Sequence, residues 1–422
     1  MTRRSIRSFC TARTSQAAPE VLRYNAGKPT NPSRHGRHTA VVIGAGVAGL
    51  ATAAALAVRF QHVLVLDRDR LPDGPVSRRG IPQGAHPHVL LEPGRHGLES
   101  LLPGLGADLQ ATGASLLSSG SELAIYRQGK LSAEPAVDPD LLCCTRPRLE
   151  WMIRRRLTLL PNVRVEDATA VHGLTGDAAR VTGVATNVGA CPADLVVDCS
   201  GRGSRSDRWL ATLGAPGPPG QSVRVNVRYA SAVIPRSPSD LPAGSALYVL
   251  PTAPAETRFG AMLPIENDRW LVTLGGWHQP KDAIVNLTGY LAFARSLPYP
   301  LIGDLVARRA THNTIVALHA FPTSHRRLFA ESDHPAGFAA VGDCVASVNP
   351  IYGRGMTTAV LQAIALGDAF DCHPAESREL SRAFFHAINP IVDASWRMAV
   401  EADGLWPQTG GCFSRVSHPS PG

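Results

Sequence analysis

Residues 39–58 decide the fold class. They read TAVVIGAGVAGLATAAALAV, twenty residues without a charged side chain. That length would suit a membrane-spanning helix, but the character of the stretch changes midway. Residues 40–43 are a short, largely β-branched run, which is typical of a buried parallel strand. Residues 51–57 are mostly alanine, which predicts a helix packed closely on a sheet. We therefore predict a strand, a turn and a helix, and no transmembrane segment.

A glycine motif joins this strand to this helix. Gly44, Gly46 and Gly49 have the spacing Gly-x-Gly-x-x-Gly, and a second apolar run, Val63–Leu66, ends in Asp67. The first glycine permits a tight turn, the second lets the backbone approach a pyrophosphate, and the third lets helix and strand pack closely. Asp67 lies 23 residues after Gly44, near the spacing at which a carboxylate meets a ribose hydroxyl. The order predicts dinucleotide binding, with Gly44, Gly46, Gly49 and Asp67 as ligands.

Composition and charge exclude several other classes. The chain has 422 residues, 44% hydrophobic and 18% charged, which is a globular composition. Its net charge is +8, but residues 1–38 contain eight basic side chains and one acidic one, so the remaining chain is nearly neutral. A nucleic-acid-binding domain usually has a basic face of its own, and we predict no nucleic-acid partner. Residues 1–38 also lack an apolar run, and we predict a disordered extension.

Cysteine and histidine spacing indicates neither disulfides nor a metal. The eight cysteines form no Cys-x-x-Cys pair, and the adjacent Cys143 and Cys144 are poor partners for an unstrained disulfide. With no secretory signal, the thiols predict a reduced, cytoplasmic protein. His86 and His88 form a pair without a suitably spaced third ligand, so we predict no metal site.

A second segment selects the kind of dinucleotide. Residues 337–366 read GFAAVGDCVASVNPIYGRGMTTAVLQAIAL. Phe338–Val341 predicts another buried strand, Gly342 and Asp343 end it, and a Pro-x-x-Gly-x-Gly stretch then opens a helix through Leu366. With the first motif, this segment resembles the single-component FAD-dependent monooxygenases of the p-hydroxybenzoate hydroxylase fold.

The resemblance implies roles for particular residues. By position in the family's motif, Gly342 and Asp343 would bind the ribityl chain of FAD. The backbone from Pro350 to Met356 would hold the isoalloxazine ring, where a helix N-terminus stabilises negative charge on reduced flavin. The implied ligands in that backbone are Pro350, Gly353, Gly355 and Met356.

Three further segments resemble a bacterial branch of this family, which includes hydroxylases and polyketide alkene epoxidases. In residues 78–88, RRGIPQGAHPH, the candidate FAD contact is Arg79, although Ala85 replaces an arginine common in that branch. Residues 145–150, TRPRLE, open a predicted helix that runs to about Leu157, and they resemble a helix start whose first arginine, Arg146, reaches FAD phosphates. Residues 194–205 resemble the third family motif, with Ser-Gly in place of Asp-Gly.

The fold prediction is α/β: a Rossmann-like FAD-binding domain with an inserted antiparallel-sheet substrate domain. The insertion is indicated by period-two alternation, as in residues 222–229. Tyr229, Tyr248, Met262 and Trp277 are either lining residues of a substrate cavity or plain core. The predicted divisions are an extension (1–38), the first parts of the FAD-binding domain (39–212), the substrate domain (213–332), the return of the FAD-binding domain (333–371), and a C-terminal helix interrupted near Pro390 with a tail that looks truncated (372–422).

The resemblance also implies a reaction. NADH or NADPH would reduce FAD and leave, and O2 would add at flavin C4a to give a hydroperoxide that hydroxylates or epoxidises a hydrophobic small molecule. No catalytic side chain is shared by all such enzymes, so none is assigned. The high arginine, alanine, glycine and proline content is typical of a GC-rich bacterial genome and fits secondary metabolism. The oligomeric state is not predicted.

Three alternatives share the fold. An FAD-dependent double-bond reductase would place no oxygen in its product. An inactive truncated relative would produce only peroxide. A halogenase needs a lysine beside the flavin, and none of the three lysines, Lys28, Lys130 and Lys281, lies in a motif.

Overall fold

The computed structural model describes residues 39–118, 122–133, 140–241, 245–374 and 377–410. Within those ranges the chain forms nineteen strands and nine α-helices. The strands are β1 Thr39–Ile43, β2 His62–Leu66, β3 Val89–Leu90, β4 Ser115–Leu117, β5 Leu123–Arg127, β6 Lys130–Ala133, β7 Leu141–Cys143, β8 Val163–Glu166, β9 Val171–Gly176, β10 Val181–Thr186, β11 Gly189–Pro192, β12 Leu195–Asp198, β13 Gly220–Pro235, β14 Ala246–Val249, β15 Arg258–Ile265, β16 Arg269–Trp277, β17 Val316–Arg327, β18 Phe338–Ala340 and β19 Ala346–Ser347. The helices are α1 Val47–Ala57, α2 Glu92–Leu101, α3 Leu105–Ala111, α4 Arg146–Leu157, α5 Ser206–Thr212, α6 Leu287–Arg295, α7 Leu301–Arg309, α8 Gly355–Cys372 and α9 Arg378–Asp403.

A five-stranded parallel sheet forms the first layer. Its strand order is β18-β12-β1-β2-β8. Strands β1 and β12 are almost completely buried, because both helices and the three-stranded antiparallel sheet β11-β10-β9 pack against this sheet. The largest hydrophobic cluster joins this sheet to α1, α4, α8 and α9. The predicted Rossmann-like arrangement of strand, glycine turn and helix is confirmed.

The uncharged stretch 39–58 divides between β1 and the eleven-residue helix α1. This helix is buried on nearly every side, which explains why its sequence carries no polar stripe. Among the described helices, none combines the length and hydropathy that crossing a bilayer requires.

An eight-stranded, mainly antiparallel sheet forms the second layer, with the order β19-β17-β13-β16-β15-β14-β5-β6. Helices α6 and α7 cover its outer face, and part of its inner face packs against Trp396 of α9, Trp406 and residues 348–352. The predicted antiparallel sheet in 213–332 is therefore present. The sheet also includes β5 and β6, which the predicted division placed in the FAD-binding domain; β5 joins it through parallel pairing with β14. Pairing between distant strands, rather than chain order, sets this boundary.

The C-terminal part differs from the sequence prediction in one respect. Helix α9 continues through Pro390 from Arg378 to Asp403, so the predicted interruption is wrong. Beyond it, Trp406 stacks on Trp277 with ring centroids 3.9 Å apart. The described C-terminal residues therefore pack against β16 and contribute to the core. The predicted N-terminal extension and residues 411–422, with Cys10, Lys28 and Cys412, lie outside the described residues.

Candidate cofactor and substrate site

The glycine turn brings backbone into close contact. Gly44 has φ +102° and donates its N–H to the Leu66 carbonyl at 2.7 Å. A Cβ on Gly49 would lie 1.8 Å from the Gly44 carbonyl oxygen, so a side chain there would force the strand and helix apart. By contrast, a Cβ on Gly46 would meet nothing closer than 3.8 Å. Space therefore remains at the second glycine alone, where a ligand would approach.

The N-terminus of α1 is available to an anion. Gly46 is its N-cap, no side chain caps the helix, and the first turn carries no acidic residue. The leading N–H groups of a helix have no partner within it and carry a partial positive charge. This terminus fits a phosphate group.

Asp67 lies at the end of β2, as predicted, but its carboxylate already has partners within the protein. It is only 5% exposed. Oδ2 accepts the Ala45 N–H at 2.7 Å, Oδ1 accepts the Asp69 N–H at 2.9 Å, and Arg78 Nη1 lies 3.0 Å from each oxygen. A ribose contact from Asp67 would therefore have to share the carboxylate with Arg78.

Arg78, and not Arg79, is the buried arginine of its segment. Arg78 also contacts Asp69 at 3.2 Å and Glu150 at 3.5 Å. Burial lowers the pKa of this guanidinium, but Asp67, Glu150 and Asp69 outweigh that effect and raise it. Arg79 is exposed and makes no contact of this kind within the described residues. Its predicted FAD contact remains a prediction, and sequence spacing alone gave no means of ranking the two.

Arg146 connects the two predicted motifs. It is the first residue of α4, which begins and ends as predicted, and its Nε donates to Glu150 Oε1 at 2.6 Å. Its Nη2 lies 3.8 Å from the position of a Cβ on Gly46. Burial raises the pKa of Asp343, and the charge of Arg146 partly offsets that rise. Arg146 thus lies beside the α1 N-terminus, and its charge reaches the Gly-Asp turn.

Asp343 lies in a 3-10 turn, Gly342–Cys344, that follows β18. Gly342 donates its N–H to Gln362 Oε1 at 2.8 Å, and a Cβ on Gly342 would lie 2.8 Å from the Ala48 Cβ. Burial raises the pKa of the Asp343 carboxyl, although Arg146, Ser347 and Arg202 partly offset this. The carboxylate is therefore held at an energetic cost beside α1, which is typical of a ligand-binding group.

The segment 350–356 forms the start of α8. Pro350–Tyr352 is a 3-10 turn, Gly353 has φ +65°, and α8 begins at Gly355 without a side-chain cap. A Cβ on Gly355 would lie 3.8 Å from Asp343 Oδ1. Met356 is buried. The helix extends to Cys372, past the predicted end at Leu366.

These observations test whether FAD fits. The residues offer an uncapped helix N-terminus at Gly46, a second at Gly355, and the Asp343 carboxylate next to the latter, with Arg146 near both Gly46 and Asp343. These donor and acceptor types suit, respectively, a pyrophosphate, a flavin ring edge and a ribityl chain. The arrangement fits FAD.

Part of the third family motif, residues 194–205, stabilises the local fold. The Asp198 carboxylate is fully buried and accepts the Ser200 N–H at 2.8 Å and hydroxyls of Ser204 and Ser206. Arg327 likewise donates to the Cys344 and Ser204 carbonyls. These bonds fasten the turn after β12 to the turn that carries Asp343.

The eight-stranded sheet places the four residues that were candidates for lining a substrate cavity in different environments. Met262 packs in the core beneath α6 and α7, on the outer face. Trp277 donates to Asp403 Oδ1 at 2.8 Å and belongs to the core around Trp406. Tyr229 lies on the inner face against the rings of His86, at 4.7 Å, and His319, at 5.2 Å. Tyr248 is half-buried in the cluster around β3 and β7.

The described residues also show where the possible metal ligands, the cysteines and the lysines lie. Those residues contain no group of three or more potential ligands that would hold a metal ion. Their six cysteines are all free thiols. Lys130 and Lys281 are exposed. A surface recess of about 230 Å³ is lined by residues such as Phe329, Asp333 and His386, none of which belongs to the cofactor motifs.

Comparison with known proteins places the chain in a family. No family model matches it. Protein Rv3254 of Mycobacterium tuberculosis is 31% identical over 400 residues, covering 89% of this chain and 81% of that protein. The chain belongs to the family of Rv3254.

Comparison with solved structures identifies the fold of this chain. PqsL, a probable FAD-dependent monooxygenase from Pseudomonas aeruginosa, matches 88% of this chain and 97% of its own, with a TM-score of 0.66 and 17% identity. A mutant of 2-methyl-3-hydroxypyridine-5-carboxylic acid oxygenase matches 87% and 92%, with a TM-score of 0.68 and 17% identity. The flavin-dependent brominase Bmp2 matches 86% of each chain, with a TM-score of 0.65 and 17% identity. The predicted FAD-dependent monooxygenase fold of the p-hydroxybenzoate hydroxylase type is thus confirmed.

Proposed function

We propose that this protein is an FAD-dependent monooxygenase that uses NADH or NADPH and O2 to hydroxylate or epoxidise a hydrophobic small molecule. The observation that supports it most strongly is the convergence of three distant segments. Gly46, Arg146 and Asp343 come from parts of the chain up to 297 positions apart, yet Arg146 lies beside Gly46, and the turn that carries Asp343 lies against Ala48 of α1, close enough for the charge of Arg146 to act on Asp343. FAD is an extended molecule, so its pyrophosphate and its flavin ring need binding groups from separate segments of the chain.

The proposed cofactor ligands follow from that arrangement. The N-terminus of α1 at Gly46 would bind the pyrophosphate, with Arg146 neutralising its charge. Asp67 would lie near the ribose, and Asp343 would accept hydroxyl hydrogens of the ribityl chain. Residues 350–356, at the start of α8, would border the flavin ring. When bound and reduced, FAD would supply the electrons that activate O2.

The chain's own residues would orient the substrate and keep water out. The inner face of the eight-stranded sheet carries mainly apolar and aromatic side chains such as Tyr229, Phe259 and Phe321, which favours an apolar substrate. No second Gly-x-Gly-x-x-Gly motif is present in the sequence, which agrees with transient docking of the nicotinamide. We also propose a cytoplasmic location, on the reduced state expected for the thiols, and a role in bacterial secondary metabolism.

Two measurements test this proposal. Protein purified from a heterologous host should carry FAD, recognised by its visible spectrum, and should oxidise NADH or NADPH faster with a panel of phenols and polyenes. With ¹⁸O2, labelled product indicates a monooxygenase. Product without label indicates a double-bond reductase, and labelled peroxide alone indicates an inactive relative.

Matched aspartate variants localise the cofactor. Asp343→Asn should lose FAD affinity by roughly ten- to hundredfold, because one hydrogen-bonded charged contact contributes about 1.5–3 kcal/mol. Asp371→Asn, at the exposed end of α8, should bind FAD normally, since Asp371 pairs with Arg59 at the surface. Equal affinity in the two variants, or a folded protein that binds no FAD at all, would contradict the proposal.

A further inference from the structure

A single buried carboxylate oxygen joins three parts of the fold. Asp403 is the last residue of α9 and is 1% exposed. Its Oδ1 accepts hydrogen bonds from Trp277 Nε1 at 2.8 Å, from Asn349 Nδ2 at 2.7 Å and from the Tyr352 hydroxyl at 2.9 Å. Trp277 ends β16, whereas Asn349 and Tyr352 belong to the segment that leads into α8. This oxygen therefore connects the end of α9 and the eight-stranded sheet to the start of α8.

Two of the three donors hold one short turn at both of its ends. The 3-10 turn is Pro350–Tyr352, with Asn349 as its N-cap and Tyr352 as its last residue. Asn349 is fully buried, and its Oδ1 accepts the Ile351 N–H at 3.3 Å while its Nδ2 donates to Asp403. An amide side chain has one accepting and one donating end, so a carboxylate at the donating end directs the amide oxygen toward the turn. Asp403 thus determines how this cap is oriented.

The position of this turn sets the position of the α8 N-terminus. Gly353, with φ +65°, follows the turn and donates its N–H to the Pro350 carbonyl at 3.0 Å. Helix α8 begins two residues later, at Gly355, without a side-chain cap. The connection is so short that a displacement of the turn would move the leading N–H groups of the helix. Those groups carry a partial positive charge and lie near Asp343, since a Cβ on Gly355 would be 3.8 Å from Asp343 Oδ1.

A second buried carboxylate, at the other end of β16, provides a comparison. Asp240 Oδ2 accepts Trp270 Nε1 at 2.9 Å and the Ser237 N–H at 2.7 Å, and its Oδ1 pairs with Arg309 at 2.7 Å. Both of its oxygens have partners, and a cation balances its charge. Trp270 belongs to the core beneath α6 and α7. Asp240 therefore stabilises the outer side of the sheet, away from the cofactor motifs.

Asp403 is bonded in a more costly way. All three donors share its Oδ1, whereas Oδ2 is buried and has no hydrogen-bond partner among the residues that the structure describes. Burial raises the pKa of this carboxyl, although the three donors partly offset the rise. A buried carboxylate with one unpaired oxygen is a poor way to gain stability. Local violations of this kind are typical of functional positions.

We propose that Asp403 is a positioning residue for FAD, which acts through Asn349 and Tyr352 to fix the turn before α8. The proposal rests on the proposed function, because that function assigns residues 350–356 to the border of the flavin ring. The bond from Trp277 holds the Asp403 carboxylate to the sheet, and the other two bonds hold the turn to the carboxylate. The C-terminal end of α9 thereby contributes to the cofactor site, although it lies in none of the cofactor motifs.

FAD affinity of matched variants tests the proposal. Asp403→Ala should weaken FAD binding by about three- to tenfold, because FAD would have to order a turn that one or two neutral hydrogen bonds no longer hold. Asp403→Asn keeps an acceptor oxygen and should restore most of the affinity. Asp240→Ala removes a tryptophan partner from the same strand, and it should lower stability without changing FAD affinity. Quenching of FAD fluorescence measures the dissociation constants, on proteins shown to be folded by circular dichroism.

Hydrogen exchange in the FAD-free protein tests the same role without cofactor. In Asp403→Ala, mass spectrometry should show faster exchange of the backbone amides in residues 351–358 than in the wild type, with β1 unchanged. Tyr352→Phe removes only one donor, from a half-buried side chain, and serves if Asp403→Ala does not fold. It should show a smaller change in the same segment. Wild-type exchange of this segment, or an equal acceleration in β1, would overturn the proposal.

The outcomes separate the positioning role from the proposed function. Wild-type FAD affinity in folded Asp403→Ala, or equal weakening in Asp240→Ala, would overturn the role of Asp403 and leave FAD binding intact. Weakened binding in Asp403→Ala alone, in a protein that places no ¹⁸O in its product, would support the positioning role and refute the monooxygenase. A wild-type protein that binds no FAD would refute both.

Discussion

Two glycines of the same motif should respond oppositely to alanine. At Gly49 a Cβ would lie 1.8 Å from the Gly44 carbonyl oxygen, a contact that only backbone movement can relieve. At Gly46 the nearest atoms would be 3.8 Å away, and the backbone, with φ −79° and ψ 177°, suits any residue. Gly49→Ala should therefore damage the fold, whereas Gly46→Ala should damage only cofactor binding.

The magnitudes follow from these distances. Forcing a methyl group into packed backbone costs about 1–3 kcal/mol or more, so Gly49→Ala should lower the free energy of unfolding by at least about 2 kcal/mol. For Gly46→Ala, a weaker N-cap and a less flexible unfolded chain largely cancel, leaving a change within about 1 kcal/mol. Its methyl group would occupy the approach to the α1 N-terminus and weaken FAD binding by roughly ten- to hundredfold.

The assay measures both quantities on each variant. Urea unfolding of the FAD-free proteins, followed by circular dichroism, gives stability, and quenching of FAD fluorescence gives the dissociation constant. Gly173→Ala, on β9 with open space around it, is the control and should change neither. Wild-type FAD affinity in a folded Gly46→Ala protein would refute the placement of the pyrophosphate. Wild-type stability of Gly49→Ala would refute the close contact.

The structure predicts the direction of three further changes in the free energy of unfolding. Asp343→Asn should stabilise the FAD-free protein at pH 7 in urea unfolding, because burial raises the pKa of Asp343; the gain should vanish below the ordinary carboxyl pKa, and lower stability at pH 7 would contradict it. His86 and His88 have folded pKa values of about 3, so their stabilising effect is complete above the unfolded value of about 6.5 and is lost as pH falls toward 3. Between pH 7 and 5 the loss should approach about 2 kcal/mol for each. The slope of stability against pH should flatten in their double asparagine variant but not in the exposed control His62→Asn. Asp403→Ala should lower the free energy of unfolding by about 3 kcal/mol or more, since it leaves two buried donors and the half-buried Tyr352 hydroxyl without an acceptor. Asp403→Asn should recover much of that loss, as measured by calorimetry.

Local sequence predicted the parts of the site that local backbone geometry decides. Gly44 and Gly49 stand where a turn and a close contact require them, and the run before them forms β1. The helix that opens at Arg146 also has its predicted bounds. Strand, turn and helix starts depend on neighbouring residues, so their signals are present in a short stretch of sequence.

Local sequence could not show which residues make contacts with distant parts of the chain. Arg78 and Arg79 are adjacent, yet only Arg78 turns toward Asp67 and Glu150, because β2 and α4 lie on the same side of the segment. Proline at 390 predicted a break, but packing of α9 against β18 and β16 maintains the helix. These outcomes depend on tertiary neighbours that no sequence window contains.

From the sequence alone came the dinucleotide fold, the order of its motifs and the identity of the residues offered to a cofactor, since spacing and backbone sterics act over a few positions. Only the tertiary structure decided that Arg146 would stand between the two motifs, and that Asp403 would meet Trp277 and Asn349, 126 and 54 residues earlier in the chain. The packing of helices and strands sets those meetings, and it is a property of the whole fold.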